Sequence, residues 1–219
     1  FPDEIEKLAR QTLRKPERVA VGIVAPAHTV SHTLYPVPQH LKKGLLLRLL
    51  EKTNTDSILI FTRTKHRAQR LSKQLDRAGY NATSLHGNRS QNQRTSALKG
   101  FKKGQFEIMV ATDIAARGLD IDSISHVINF DMPDTPDAYI HRIGRTGRAE
   151  RTGEAFTLTT PDDEDMVRKI EKIMKQKLVR RKLDDFDYSV LKPEYPQNNR
   201  QPRSANQKKN PRRSKQRAR

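Results

Sequence analysis

The sequence predicts an α/β domain, a mostly parallel sheet covered by helices on both faces, followed by a basic tail. Three observations carry that reading. Short apolar runs alternate with stretches of helical periodicity from about residue 33 to 175. Most of those runs are near-continuously apolar, as strands buried on both faces must be. From Leu191 to Arg219 the composition turns to Pro, Gln, Asn, Ser and cations, which cannot build a core.

Taken in order, Asp3 to Arg14 sets Ile5, Leu8, Ala9 and Leu13 at helical spacing and stops before Pro16. Val19–Val24 is a short strand candidate, and Ala25-Pro-Ala-His-Thr-Val-Ser-His32 has the small, polar composition of a linker. One helix and one strand bury no core by themselves, so residues 1–24, which open on Phe1 and not on methionine, are expected to belong to a neighbouring domain. The main domain is expected over 33–180 and the tail over 181–219. Within it, residues 33–37 form an edge strand because of Pro36, and Leu41–Leu50 a leucine-rich helix. Ser57–Phe61 is a strand, Lys65–Ala78 a helix stopped by Gly79, Ala82–Leu85 a strand, and Gln91–Phe101 a helix stopped near Gly104. Phe106–Val110 and Ser125–Phe130 are strands, Asp137–Ile143 a short helix, Ala155–Leu158 a strand and Asp162–Met174 a helix.

Charge narrows the partner. The 219 residues carry a net charge of +18, and residues 191–219 hold ten Lys/Arg against Glu194 alone, half of that total. A polyanion is the expected ligand. There is no cysteine, hence no disulfide or thiolate metal site. Neither a signal-peptide plan nor an apolar run of the roughly 20 residues a span needs is present, so a cytoplasmic protein with no membrane association is expected.

Ligands of parallel sheets sit beyond the carboxyl ends of the strands. Four such ends here run into hydroxyls, glycines and arginines: Thr62-Arg-Thr-Lys65, His86-Gly-Asn-Arg89, Ala111-Thr-Asp-Ile-Ala-Ala-Arg-Gly-Leu-Asp120 and the stretch Tyr139–Arg148. These groups suit phosphates, while Ser90 equally suits a helix cap. In the last stretch Arg142, Arg145 and Arg148 lie three apart and would share one face of a helical turn, a polyphosphate clamp interleaved with Gly144 and Gly147. A Gly-x-x-x-x-Gly-Lys-Ser/Thr loop is absent from the chain, so it would lend arginines to a nucleotide pocket built elsewhere.

Ala111–Ile121 and His141-Arg-Ile-Gly-Arg-Thr-Gly-Arg148 resemble motifs V and VI of the DEAD-box RNA helicases. Ile60–Lys65 resembles motif IV, Gln91-Asn-Gln-Arg94 the Gln-x-x-Arg element, and His86-Gly87 the segment before it. Phe61–His66 together with the basic tail is most similar to the bacterial RhlE-like subgroup. Ala149-Glu-Arg departs from the Ala-Gly common in the family, after the last motif arginine. The resemblance implies the C-terminal RecA-like domain of an ATP-dependent RNA helicase, with residues 1–24 the end of the N-terminal RecA-like domain and 25–32 the interdomain linker. It implies arginine fingers at Arg145 and Arg148, a link across the interdomain cleft at His141, and nucleotide contacts at Gly118 and at Asp120, the latter to the ribose. Arg117 and Asp113 match positions that couple the two ligand sides without touching either. RNA backbone contacts are implied at Thr112 and Arg94, with Gly87 and Thr62 or Arg63 as neighbours, while Gln91 bonds within the domain. ATP and Mg2+ would be held mainly by the N-terminal domain, with no metal ligand in this chain, which alone would be inactive. RNA and ribonucleoprotein or ribosome-assembly partners are implied. The alternative is a stand-alone, non-enzymatic RNA-binding module.

Overall fold

A computed structural model describes residues 3–14, 30–53, 57–117, 124–147 and 152–191. Seven strands form one sheet, all parallel, in the order β3-β4-β2-β5-β6-β1-β7. They are β1 (Val30–Pro36), β2 (Ile58–Phe61), β3 (Ala82–Leu85), β4 (Ile108–Ala111), β5 (His126–Asn129), β6 (Gly153–Thr159) and β7 (Val179–Arg180). The helices are α1 (Asp3–Thr12), α2 (Lys42–Lys52), α3 (Lys65–Arg77), α4 (Gln91–Lys102), α5 (Asp113–Ala116), α6 (Pro136–Ile143) and α7 (Glu164–Met174). The strand candidate at 19–24 and most of the linker at 25–32 lie outside the described residues, as do 192–219.

Strand side chains alternate between two faces. Ile58, Ile60, Ile108, Val110, Ile128, Phe156 and Leu158 point to one, where α2 and α3 bring Leu45, Leu46, Leu49, Leu50, Ala68, Leu71 and Leu75. These helix residues recur at three- and four-residue spacing, so each helix turns one apolar stripe to the sheet. Leu59, Phe61, Met109, Ala111 and Val127 face the other way, onto Phe101 of α4 and Ala115 and Ala116 of α5. On that same face, under β1 and β6, Tyr139 and Ile143 of α6 meet Val167 and Ile170 of α7.

Caps set where the helices begin. Thr64 Oγ1 accepts from the Arg67 N–H, Thr135 Oγ1 from the Ala138 N–H, and Ser90 forms a reciprocal capping box with Gln93. Ser90 therefore has the capping role open to it from sequence. At the other ends of α3 and α4, Gly79 and Gly104 take left-handed φ of 96° and 71°.

Two boundaries differ from expectation. β1 starts at Val30, three residues early, because the side chain of His32 is buried beside Tyr139, with ring centroids 6.3 Å apart. At the other end the segment expected to open the tail at 181 is packed. β7 pairs with β1, and the Arg181 N–H donates to Leu34 O at 2.9 Å. Leu183, Phe186 and Tyr188 then lie against the α2 side of the core, and Lys52 pairs with Asp185 at 2.7 Å. Gly44 leaves room for this strap, since a Cβ there would sit 3.3 Å from the Phe186 ring.

Candidate functional site

Register brings the carboxyl ends of five strands into one row: Leu85, Ala111, Phe61, Asn129 and Thr157 are successive partners. The ladder runs one residue further, through the N–H of Thr62 to Ala111 O (3.0 Å), of Thr112 to Leu85 O (3.4 Å) and of Phe130 to Phe61 O (3.0 Å). The four strand ends singled out from sequence thus form one continuous edge.

Arg142 ties that edge together. It is 2% exposed and projects from the buried face of α6. Its Nε and Nη2 donate to Asp113 Oδ1 and Oδ2, each at 2.7 Å, a bidentate pair at the end of β4. Nη1 donates to Asn129 Oδ1 (3.1 Å) and to Asp131 O (2.8 Å) beyond β5, and the guanidinium lies 5.0 Å over the Phe61 ring of β2. Asn129 passes the network on, its Nδ2 donating to Thr157 Oγ1 of β6 at 3.0 Å. The expectation that Arg142, Arg145 and Arg148 share one helical face is therefore corrected. α6 ends at Ile143 and Gly144 caps it, so Arg142 turns inward while Arg145 leaves the helix.

The turn carrying Arg145 is anchored at several points. The Arg145 N–H donates to Arg142 O at 3.1 Å, and Thr146 Oγ1 lies 2.6 Å from Ile124 O and 2.9 Å from Ser125 O. Gly147 follows with φ of 71°. Gly153 packs so closely behind this turn that a Cβ would stand 2.4 Å from Gly147 N. In front opens a cleft of about 480 Å³, lined among others by Phe61, Asp113, Arg117, His141, Arg142 and Arg145. His141 is exposed at its mouth. Gly118, Asp120 and Arg148 lie outside the described residues.

The expected RNA residues separate by burial. Thr62 is fully buried and its hydroxyl donates to Thr64 O at 3.3 Å, so of the pair Thr62 and Arg63 it is Arg63 whose side chain is exposed. Arg63 is exposed, and its Nε lies 3.4 Å from Asp134. Thr112 heads α5, half-buried, and its hydroxyl makes no capping bond. Arg94 is half-buried, with Nη1 donating to Gln91 Oε1 at 3.2 Å, so Gln91 does bond within the domain. Gly87 is exposed, with open space where a Cβ would stand.

Buried polar groups stiffen this edge. Asp131 accepts the Arg63 N–H at 3.0 Å and pairs with the Arg67 guanidinium. Lys42 is 2% exposed and donates to Phe130 O at 3.1 Å, and burial pushes its ammonium below the usual lysine range. His86 follows β3 with neither ring nitrogen bonded, its imidazole lowered first by burial and then by Arg89, His66 and Lys65. Among the described residues no cluster of three His, Cys, Asp or Glu gathers to hold a metal ion, and of the two carboxylates lining the cleft, Asp113 and Asp137, the first is spent on Arg142. Sequence reasoning missed the hub. Its signal was Asn129, a polar residue inside the otherwise apolar strand Val127-Ile-Asn-Phe130.

Comparison with known proteins agrees with this architecture. The family described as "Helicase conserved C-terminal domain" matches residues 41–150. The chain is 42% identical over 193 residues to the DEAD-box ATP-dependent RNA helicase CshA of Bacillus licheniformis, covering 87% of this chain and 39% of that protein. It is 43% identical over 182 residues to the ATP-dependent rRNA helicase RRP3 of Candida glabrata, covering 83% and 37%. The chain thus spans about two fifths of the length of these relatives. Among solved structures, E. coli DEAD-box protein SrmB bound to regulator of ribonuclease activity A superposes with a TM-score of 0.69 at 35% identity, over 76% of this chain and 98% of that one. S. cerevisiae Dbp5 bound to RNA and ADP BeF3 superposes with a TM-score of 0.74 at 26% identity, over 84% and 50%. The fold is RecA-like, and the chain belongs to the DEAD-box RNA helicases as their C-terminal helicase domain.

Proposed function

We propose that this domain is one wall of an ATP-dependent RNA helicase of the RhlE-like subgroup, acting in the cytoplasm. The observation that carries the reading is the cleft beside the Arg142 hub, with His141 and Arg145 at its mouth. A guanidinium held by an anchored turn meets developing phosphate charge without reorganising, which is what an arginine finger requires. Arg145 and Arg148 face the terminal phosphate, Asp120 and Gly118 the rest of the nucleotide, and His141 the N-terminal RecA-like domain. Residues 1–24 are the end of that domain, 25–32 the linker, and the residues beyond 191 an additional basic RNA-binding segment.

The cationic cleft without a Gly-Lys-Ser/Thr loop fits one side of a polyphosphate. Bound ATP supplies the anhydride whose cleavage drives the cycle, and it and Mg2+ rest mainly on the N-terminal domain. Arg63, Gly87, Arg94 and Thr112 hold the RNA backbone, which carries no sequence information, so binding is indifferent to base. Closure of the two domains bends one strand and separates a short duplex. Ribonucleoprotein or ribosome-assembly complexes are the setting that a non-specific RNA remodeller of this kind fits.

The test is RNA-stimulated ATP hydrolysis by this chain, alone and mixed with a separately expressed N-terminal domain. Hydrolysis should occur only in the mixture and fall roughly 10³-fold with Arg145→Ala or Arg148→Ala. A silent mixture with RNA binding intact, or hydrolysis indifferent to both substitutions, would turn the assignment to a stand-alone RNA-binding module.

A further inference from the structure

We infer that the outer face of α3 is a second track for nucleic-acid backbone, taking the phosphates of duplex RNA beyond the groove. The inference rests on the RNA-groove reading above and extends it to a surface outside the strand-end loops. Ala68, Leu71, Ser72 and Leu75 turn one side of α3 to the sheet. On the opposite side His66, Arg70, Lys73 and Arg77 are all exposed. Their spacing of four, three and four places them in a single row along the helix. Asp76 is the one acid on α3.

Ion pairing separates this row from its neighbours. Arg67 is committed to Asp131, and Arg63 lies 3.4 Å from Asp134. Arg70, Lys73 and Arg77 make no ion pair among the described residues. Three cations left in a row at one- and two-turn intervals repel one another, and a polyanion relieves that cost.

The row also begins where the groove ends. Arg63 and the cap residue Thr64 lead directly into α3, and Lys65, His66 and Arg89 crowd the imidazole of His86. Lys65 and Arg89 therefore carry positive charge from the end of β3 to the start of α3, whose 13 residues extend it by about 20 Å. The positive end of the helix dipole adds to it at the groove. The face carries no Phe, Tyr or Trp, so it offers bases nothing to stack on. A row of point charges and forks without stacking platforms suits the regular phosphates of a duplex better than a single strand.

The experiment compares the parent chain with the triple variant Arg70→Ala, Lys73→Ala, Arg77→Ala, whose exposed positions leave the core untouched. Two RNAs are titrated at several salt concentrations: a single strand that fills the groove alone, and the same strand continued into a duplex arm. The triple variant should bind the short strand like the parent. It should bind the duplex-flanked RNA about tenfold more weakly, with a log–log salt slope smaller by roughly two to three. Unchanged binding of the duplex-flanked RNA overturns the track and leaves the row to an acidic protein or to solvent. Equal losses on both RNAs overturn it as well. Arg94→Ala, run beside it, separates the two readings, since its lack of effect on either RNA would strike the groove and not α3.

Discussion

At Arg142 a guanidinium is committed wholly to structure, whereas Arg145, three positions on, lines the cleft. Nothing in the residue types distinguishes them. What separates them is where α6 stops, and Gly144 decides that. The arginine-rich motif is legible in the sequence, but the direction of Arg142 is not, because it depends on burial against Phe61 and Asn129. Arg142→Lys keeps the charge but loses the fork, breaking the bidentate pair with Asp113 and leaving Asn129 Oδ1 without its donor. It should cost about 3 kcal/mol, the low end for a broken buried pair because Asp113 is 35% exposed, read as a lower urea midpoint at unchanged slope. His32 makes a prediction in pH. Burial lowers its imidazole from 6.5 to about 4, so the folded chain keeps it neutral where the unfolded chain would protonate it. Its contribution is complete above pH 6.5 and drains away as pH falls toward 4, by up to about 3 kcal/mol. His86 and His126 are lowered too, in the same sense. His32→Gln should flatten the loss of stability between pH 6.5 and 4, followed by urea titration at each pH, and a variant as steep as the parent would reject the assignment.

Among the elements, β2, β4 and β5 announce themselves as apolar runs because both faces of the sheet are covered. β7 does not, since a two-residue strand, Val179–Arg180, has no periodicity and exists only through its pairing with β1. The strap after it has the look of a tail in sequence because Leu183, Phe186 and Tyr188 stand among charges at no regular interval. Its cohesion is tertiary: Phe186 and Tyr188 meet edge to face at 4.9 Å, and Tyr188 Oη accepts the Leu183 N–H at 3.0 Å. Ending the chain at 180, the boundary read from sequence, should therefore cost about 3 kcal/mol relative to ending it at 191, roughly 1 kcal/mol for each half-buried side chain. Thermal melts of the two truncations measure it, and equal midpoints would show the strap to be ornamental.

For the molecule as a whole, charge and topology act together. All seven strands run the same way, so every carboxyl end gathers on one edge, together with the loops that carry the described candidate ligand residues. Removing residues 192–219, which hold ten cations, should weaken binding to every RNA and flatten the salt dependence of affinity; an unchanged slope would mean that these cations touch no phosphate. His40 fixes where that segment is rooted. It follows β1 at the ligand edge, and its Nε2 lies 2.7 Å from Val190 O. The described residues therefore end at Leu191 on the side of the sheet where the strands' carboxyl ends lie. If the groove takes RNA as proposed, each cation beyond Leu191 would act on it intramolecularly, at millimolar effective concentration. Moving the mooring, and not the charge, would then be enough to lower that effective concentration.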